Sequence, residues 1–256
     1  MIPQVKFKVI TLEEEFRIRE KFREKIKDAD TKGLHKFFDE FFMSDQEISE
    51  EYFEKQHALA EARNSFERIW APKNTAFFEA LNELYRPDCP NNDYEVLISL
   101  GKISPRHLQE KWFSKYVHTE PIKIPLEVGH EIIHFFHFHK WSQVFPDTDT
   151  KLYDTNSIEW HLSEIIAGPI ANEKTISDVL GPYNFTTSDF YGAYKTKRIE
   201  NQNMHSYFAE TYQRLRKEKA SMKDILIEFK KMALMHEEQL KSCYPIKFED
   251  TSAKKN

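Results

Sequence analysis

"IPLEVGHEIIHFFHFHKW", Ile124 to Trp141, carries four of the chain's eleven histidines within ten residues. No proline or glycine interrupts it after Gly129, so the spacing predicts one continuous helix. Residues four apart on a helix lie one turn above each other, about 6 Å along the axis. His130 and His134 have that spacing, and Glu131 follows the first of them. Two imidazoles so placed can converge on one zinc ion through ring nitrogens at roughly 2.0–2.1 Å. Glu131 can then reach a water on the metal, whose pKa zinc lowers to about 7, take its proton and deliver it to a leaving group. The neighbours Ile132, Ile133, Phe135 and Phe136 are apolar. A plain core helix rarely places two histidines and a glutamate among residues that otherwise want to be dry.

With these residues in view, "VGHEIIHFF" resembles the active-site helix of the zincin metallopeptidases. The resemblance implies a catalytic zinc held by His130, His134 and a third protein ligand, with Glu131 as general base and then general acid. Metzincins extend the motif to His-Glu-x-x-His-x-x-Gly-x-x-His, but here the last two places hold His137 and Lys140, which excludes that class. His137 shares the face of the two histidines but lies seven residues from His130. That is about 10.5 Å along a regular helix, too far to join the same ion. Gluzincins take the third ligand from a second helix downstream, and "SIEWHLSEIIAGPIA" (Ser157–Ala171) supplies two glutamates. "LSEIIAG" (Leu162–Gly168) is similar to the Asn-Glu-Gly-Phe-Ala segment of gluzincin aminopeptidases, with Glu164 in the ligand place, Ser163 for Asn and Ile165 for Gly. Glu159, read as Glu-x-x-x-Ser with Ser163, resembles instead the Glu-x-x-x-Asp pattern of thermolysin-like enzymes. A helical wheel favours Glu164, because Ala167, Gly168 and Ala171 cluster around it and small residues let another helix approach. His161 lies about 60° from Glu164 on the same wheel, as a supporting or substrate-facing group. For steadying an oxyanion the later segment offers Tyr191, Tyr194, His205, Tyr207 and Tyr212.

Composition bounds the rest. The 256 residues suffice for one large domain or two small ones. Six glycines against 21 phenylalanines, with 31% charged residues, favour packed amphipathic helices over a turn-rich β protein. A net charge of −5 argues against nucleic acid as a partner, since phosphate binding needs a clustered basic excess. No apolar run is long enough to span a membrane, and the N-terminus does not read as a signal peptide. Cys89 and Cys243 read as free thiols of a cytoplasmic protein.

The expected fold class is α+β, mainly α-helical: a zincin-like catalytic domain with a small sheet and an active-site helix, plus N-terminal helices. "VKFKVI" (Val5–Ile10) and "YEVLISL" (Tyr94–Leu100) read as strands. Capping boxes at Thr11–Glu14 and Ser44–Glu47 open helices, the second running toward Trp70. "LHKFFDEFF" (Leu34–Phe42) and "SPRHLQEKWFSKY" (Ser104–Tyr116) read as helical, the latter with Ser104 as cap and Pro105 in its first turn. Two late helices are expected over about Met204–Lys219 and Met222–Lys241. The break "RPDCPNND" (Arg86–Asp93) divides an N-terminal helical region, 1–87, from a zincin-like metallopeptidase domain, 88–250, or interrupts one continuous domain. Residues 251–256 form a tail. Taken together, the spacing predicts metal-assisted hydrolysis, and the resemblance implies an intracellular zinc metallopeptidase acting on a peptide or protein. The rival reading is a non-catalytic or regulatory module that keeps a zincin-like helix. Glu131 tilts against that rival, because a merely structural zinc site needs the histidines but not the carboxylate.

Overall fold

The computed structural model describes residues 2–26, 29–30, 43–102, 104–154, 156–182, 197–199, 202–243 and 247–248. In chain order the elements are β1 (Val5–Val9), α1 (Leu12–Ile26), β2 (Ala29–Asp30), α2 (Asp45–Glu54), α3 (Gln56–Trp70), α4 (Asn74–Tyr85) and β3 (Tyr94–Ser99). There follow β4 (Arg106–His107), β5 (Trp112–Tyr116), α5 (Ile124–Val144), α6 (Ile158–Ala171), α7 (Lys174–Leu180), β6 (Arg198–Ile199) and β7 (Gln202–Asn203). The last elements are α8 (Met204–Lys217), α9 (Met222–Met235), α10 (Glu237–Lys241) and β8 (Lys247–Phe248). The protein is α+β and mainly α-helical, with a small mixed sheet. The helix expected at Leu34–Phe42 and the tail 251–256 lie outside the described residues, as do Tyr191 and Tyr194.

Two compact units are each assembled from separated stretches of chain. One comprises Val5–Ala71, Asp93–Ile122 and Ile246–Asn256. It holds the four-stranded sheet, in the order β1-β3-β5-β4, with β1, β3 and β5 parallel and β4 antiparallel to β5. In β1, Val5 and Phe7 are buried while Lys6 and Lys8 are exposed, the period-two pattern of a half-buried strand. Helix α3 buries Leu59, Ala62, Phe66 and Trp70, one apolar stripe at three- and four-residue spacing, and packs on β1 and β3. Arg63 on that helix donates from Nε to the Phe7 carbonyl at 3.2 Å. The capping boxes at Thr11 and Ser44 both form. The helix opened by Ser44 does not run unbroken to Trp70: it is interrupted at Lys55, where φ −93°, ψ 4° ends α2 before α3 begins.

The reading of Ser104–Tyr116 as a helix is corrected. These residues form the β4–β5 hairpin, whose turn places Lys111 at φ 61°. Trp112, Phe113 and Tyr116 suit a pleated surface better than a helix. A ready parallel partner decides the outcome, with Val96 opposite Phe113 and Ile98 opposite Lys115.

The other unit comprises Met1–Gln4, Pro72–Asn92 and Lys123–Pro245. Its centre is α5, packed by α4, α6, α7 and α9. Fifteen of its residues are buried, from Ile124 to Trp141 and on all sides, as befits an axial helix with no solvent face. Around it α6 starts at Ser157, whose hydroxyl accepts from Trp160 N, and α9 at a Ser221–Asp224 capping box. The late helices stop at Lys217 and at Met235, with His236 separating α9 from α10. Among the described residues no helix is long and apolar enough to cross a membrane. Both cysteines are free thiols.

Candidate metal centre

Helix α5 is held at both ends. Near its C-terminus, His139, Lys140 and Gln143 turn to the Pro87–Asp88 backbone. The Lys140 ammonium donates to the Pro87 carbonyl at 2.7 Å, while the Asp88 carbonyl lies 2.9 Å from His139 Nε2 and 3.1 Å from Gln143 Nε2. Three donors from one helix face therefore grip a loop in which Asp88 adopts φ 67°. Near the N-terminus, Gly129 meets α7 and α4 through bare backbone, since a Cβ there would lie 2.4 Å from Leu180 Cδ1. Neither contact has a signal in local spacing.

Between these ends α5 presents His130 and His134 toward α6. Their Nε2 atoms stand 2.9 Å apart, with ring planes at 90°. Oε2 of Glu164, from the middle of α6, lies 3.6 Å from His130 Nε2 and 3.5 Å from His134 Nε2. All three residues are buried, His134 completely. A tetrahedral ion with bonds of roughly 2.0–2.1 Å separates its donors by about 3.3–3.4 Å. The two edges to Glu164 match that spacing to within about 0.3 Å, the His130–His134 edge is shorter by about 0.4–0.5 Å, and a three-donor face leaves a fourth position open. Electrostatics points the same way. A carboxylate buried between two imidazoles is costly to desolvate, and a bound cation relieves that cost. Among the described residues, His130, His134 and Glu164 form the buried group able to hold a metal ion.

The remaining candidates fall into place around it. Glu131 is buried save for 7% exposure, next to the less enclosed of the two histidines. Glu159 is also buried, in the first turn of α6, but does not belong to the donor group. Burial, followed by the charge of Glu159, holds the Tyr153 hydroxyl above its ordinary pKa. His137 is enclosed and stacks on Trp141 at 5.6 Å, a packing role. His161 is fully buried, which removes the substrate-facing role, and its Nε2 lies 2.7 Å from Asn156 Oδ1. Burial pushes its pKa down to about 4 against the opposing pull of Glu164, so the ring beside the site is neutral at physiological pH.

Of the oxyanion candidates, His205 and Tyr212 line a groove of about 340 Å³ beside Gly168, one turn along α6 from Glu164. Tyr212 is committed elsewhere: its hydroxyl donates to Glu173 Oε1 at 2.8 Å, an oxygen that also accepts from Arg216 Nε at 2.7 Å. Tyr207 packs edge-on against Phe208 and His236.

Comparison with family models, with curated proteins and with solved structures finds no match to this chain. The donor geometry therefore carries the functional argument alone.

Proposed function

We propose that this chain is a zinc-dependent metallopeptidase of gluzincin type, with a zincin-like catalytic centre built on α5 and α6. The observation that carries the reading is the buried His130–His134–Glu164 triangle, with Glu131 next to the first ligand. A mixed nitrogen and oxygen donor set of this size suits zinc. Zinc held there supplies a Lewis acid and an activated water at neutral pH. Glu131 accepts the proton of the attacking water and passes it to the departing amine, so one carboxylate serves both proton transfers. His130 and His134 hold their ring nitrogens on one side of the site by helix spacing alone, and Glu164 closes it from α6. The apolar packing of Ile132, Ile133, Phe135 and Phe136 keeps bulk water from the rear of the helix. The substrate is a peptide or protein, not nucleic acid or a membrane. Two free thiols fit a cytoplasmic location.

Elemental analysis of purified protein, paired with a peptide-library cleavage assay, tests the reading. Wild type should carry about one zinc per chain, as expected of a single mononuclear site. His134→Ala should lose the metal. Glu131→Gln should keep it and lose cleavage, because an amide cannot take the water's proton. A correctly folded wild type that cannot be loaded with zinc would falsify the centre. A zinc-loaded chain that cleaves no library peptide would favour the non-catalytic module or a protease restricted to one protein substrate.

A further inference from the structure

Gly129 immediately precedes His130 and is buried inside α5. It is not needed for an unusual backbone conformation, since it lies within a regular helix, where glycine is among the least favoured residues. What is unusual is the space beside it. A Cβ at this position would stand 2.4 Å from Leu180 Cδ1, 3.3 Å from Leu180 Cδ2 and 3.4 Å from Phe77 Cε2. Both δ-carbons of Leu180 lie within 3.3 Å of that point, so its side chain must shift to admit a methyl group. Leu180 and Phe77 are themselves buried. Leu180 ends α7, which is tied to the start of α4 where the Lys73 ammonium donates to the Val179 carbonyl at 2.6 Å. Two neighbouring helices therefore form a braced wall against the turn of α5 that carries the first histidine.

From this packing we infer that Gly129 is a positioning residue for the metal centre. By letting Leu180 and Phe77 seat against bare backbone, it sets the depth and rotation of α5 that aim His130 and His134 at Glu164. The inference rests on the metal reading proposed above. Its force comes from a difference in tolerance. An alanine at 129 needs about 1 Å of relief to reach ordinary carbon–carbon separation. Coordination distances tolerate about 0.2 Å. If even a third of that relief is taken by α5, His130 and His134 move by more than that tolerance relative to Glu164 while the helix remains folded.

The test is zinc affinity of the full chain, measured by chelator competition at fixed pH, with thermal unfolding of the metal-free proteins alongside. Gly129→Ala should weaken zinc binding about tenfold or more, the range seen when groups supporting a ligand are disturbed. A merely structural role would lower the unfolding temperature of the metal-free chain and leave zinc affinity unchanged, so the two measurements separate the roles. Gly129→Ala/Leu180→Ala, which gives the new methyl group its room back, should bind zinc within a few-fold of Leu180→Ala alone. This compensated variant also decides the matter if Gly129→Ala fails to fold. The inference is overturned if Gly129→Ala folds and binds zinc like wild type, or if the compensated variant stays weak while Leu180→Ala binds normally. A wild type that takes up no zinc overturns the metal centre itself, and this inference with it.

Discussion

The Glu164 carboxylate sits 3.5–3.6 Å from two imidazole nitrogens and is 4% exposed. At that distance and burial, replacing it by a neutral amide removes an anionic donor just where a divalent cation needs one. Glu164→Gln should therefore weaken zinc binding strongly. Glu159 is buried in the first turn of the same helix, where a carboxylate interacts favourably with the helix dipole by up to about 2 kcal/mol, and it lies outside the donor group. Glu159→Gln should leave zinc affinity within a few-fold. Chelator competition on both variants at one pH decides between them; a large loss in Glu159→Gln with Glu164→Gln unchanged would move the third ligand to the first turn. The helical wheel singles out Glu164 from sequence because Ala167, Gly168 and Ala171 surround it. How close its oxygen comes to the histidines is a property of two helices in contact, and no wheel contains it.

Elements show where local signals mislead. Ser104 and Pro105 resemble a helix start, yet the Pro105 carbonyl accepts from Ser114 N at 3.0 Å across a hairpin. The turn is closed by Lys111, at φ 61°. A non-glycine residue in this left-handed region costs roughly 1–2 kcal/mol relative to its preferred backbone. Lys111→Gly should consequently raise stability by up to about 1 kcal/mol, the gain being offset in part by glycine's greater freedom when unfolded. Urea unfolding measures it, and a loss of stability on substitution would mean that the lysine side chain holds the turn. The misreading has a physical cause: strand formation here depends on β3, and a partner strand is invisible to a window centred on Ser104. Lys55 and His236, which break helices expected to be continuous, likewise follow no Pro or Gly signal.

At the scale of the molecule, both helices of the candidate metal centre belong to one unit while the mixed sheet belongs to the other. A ligand that binds only the folded state stabilises it by mass action, about 4 kcal/mol when free zinc exceeds its dissociation constant a thousandfold. Chelating zinc should therefore lower the unfolding midpoint. Hydrogen exchange followed by mass spectrometry should show the loss of protection in α5 and α6, with β1, β3 and β5 little changed. Equal deprotection of β3 would mean that zinc does not act through α5 and α6 alone. The sequence by itself determined the histidine pair, the adjacent Glu131, the helix starts capped by Thr11 and Ser44, and strands within Val5–Ile10 and Tyr94–Leu100. Each of these is written in residues within a few positions of one another, at the periods of a helix or a strand. Tertiary structure decided the rest. It brought Glu164, thirty residues beyond His134, to the two imidazoles, and it turned Ser104–Tyr116 into a hairpin on β3. It also made Gly129 a contact point and put Lys140 on a distant carbonyl, because which faces meet depends on the packing of the whole core and not on any one segment.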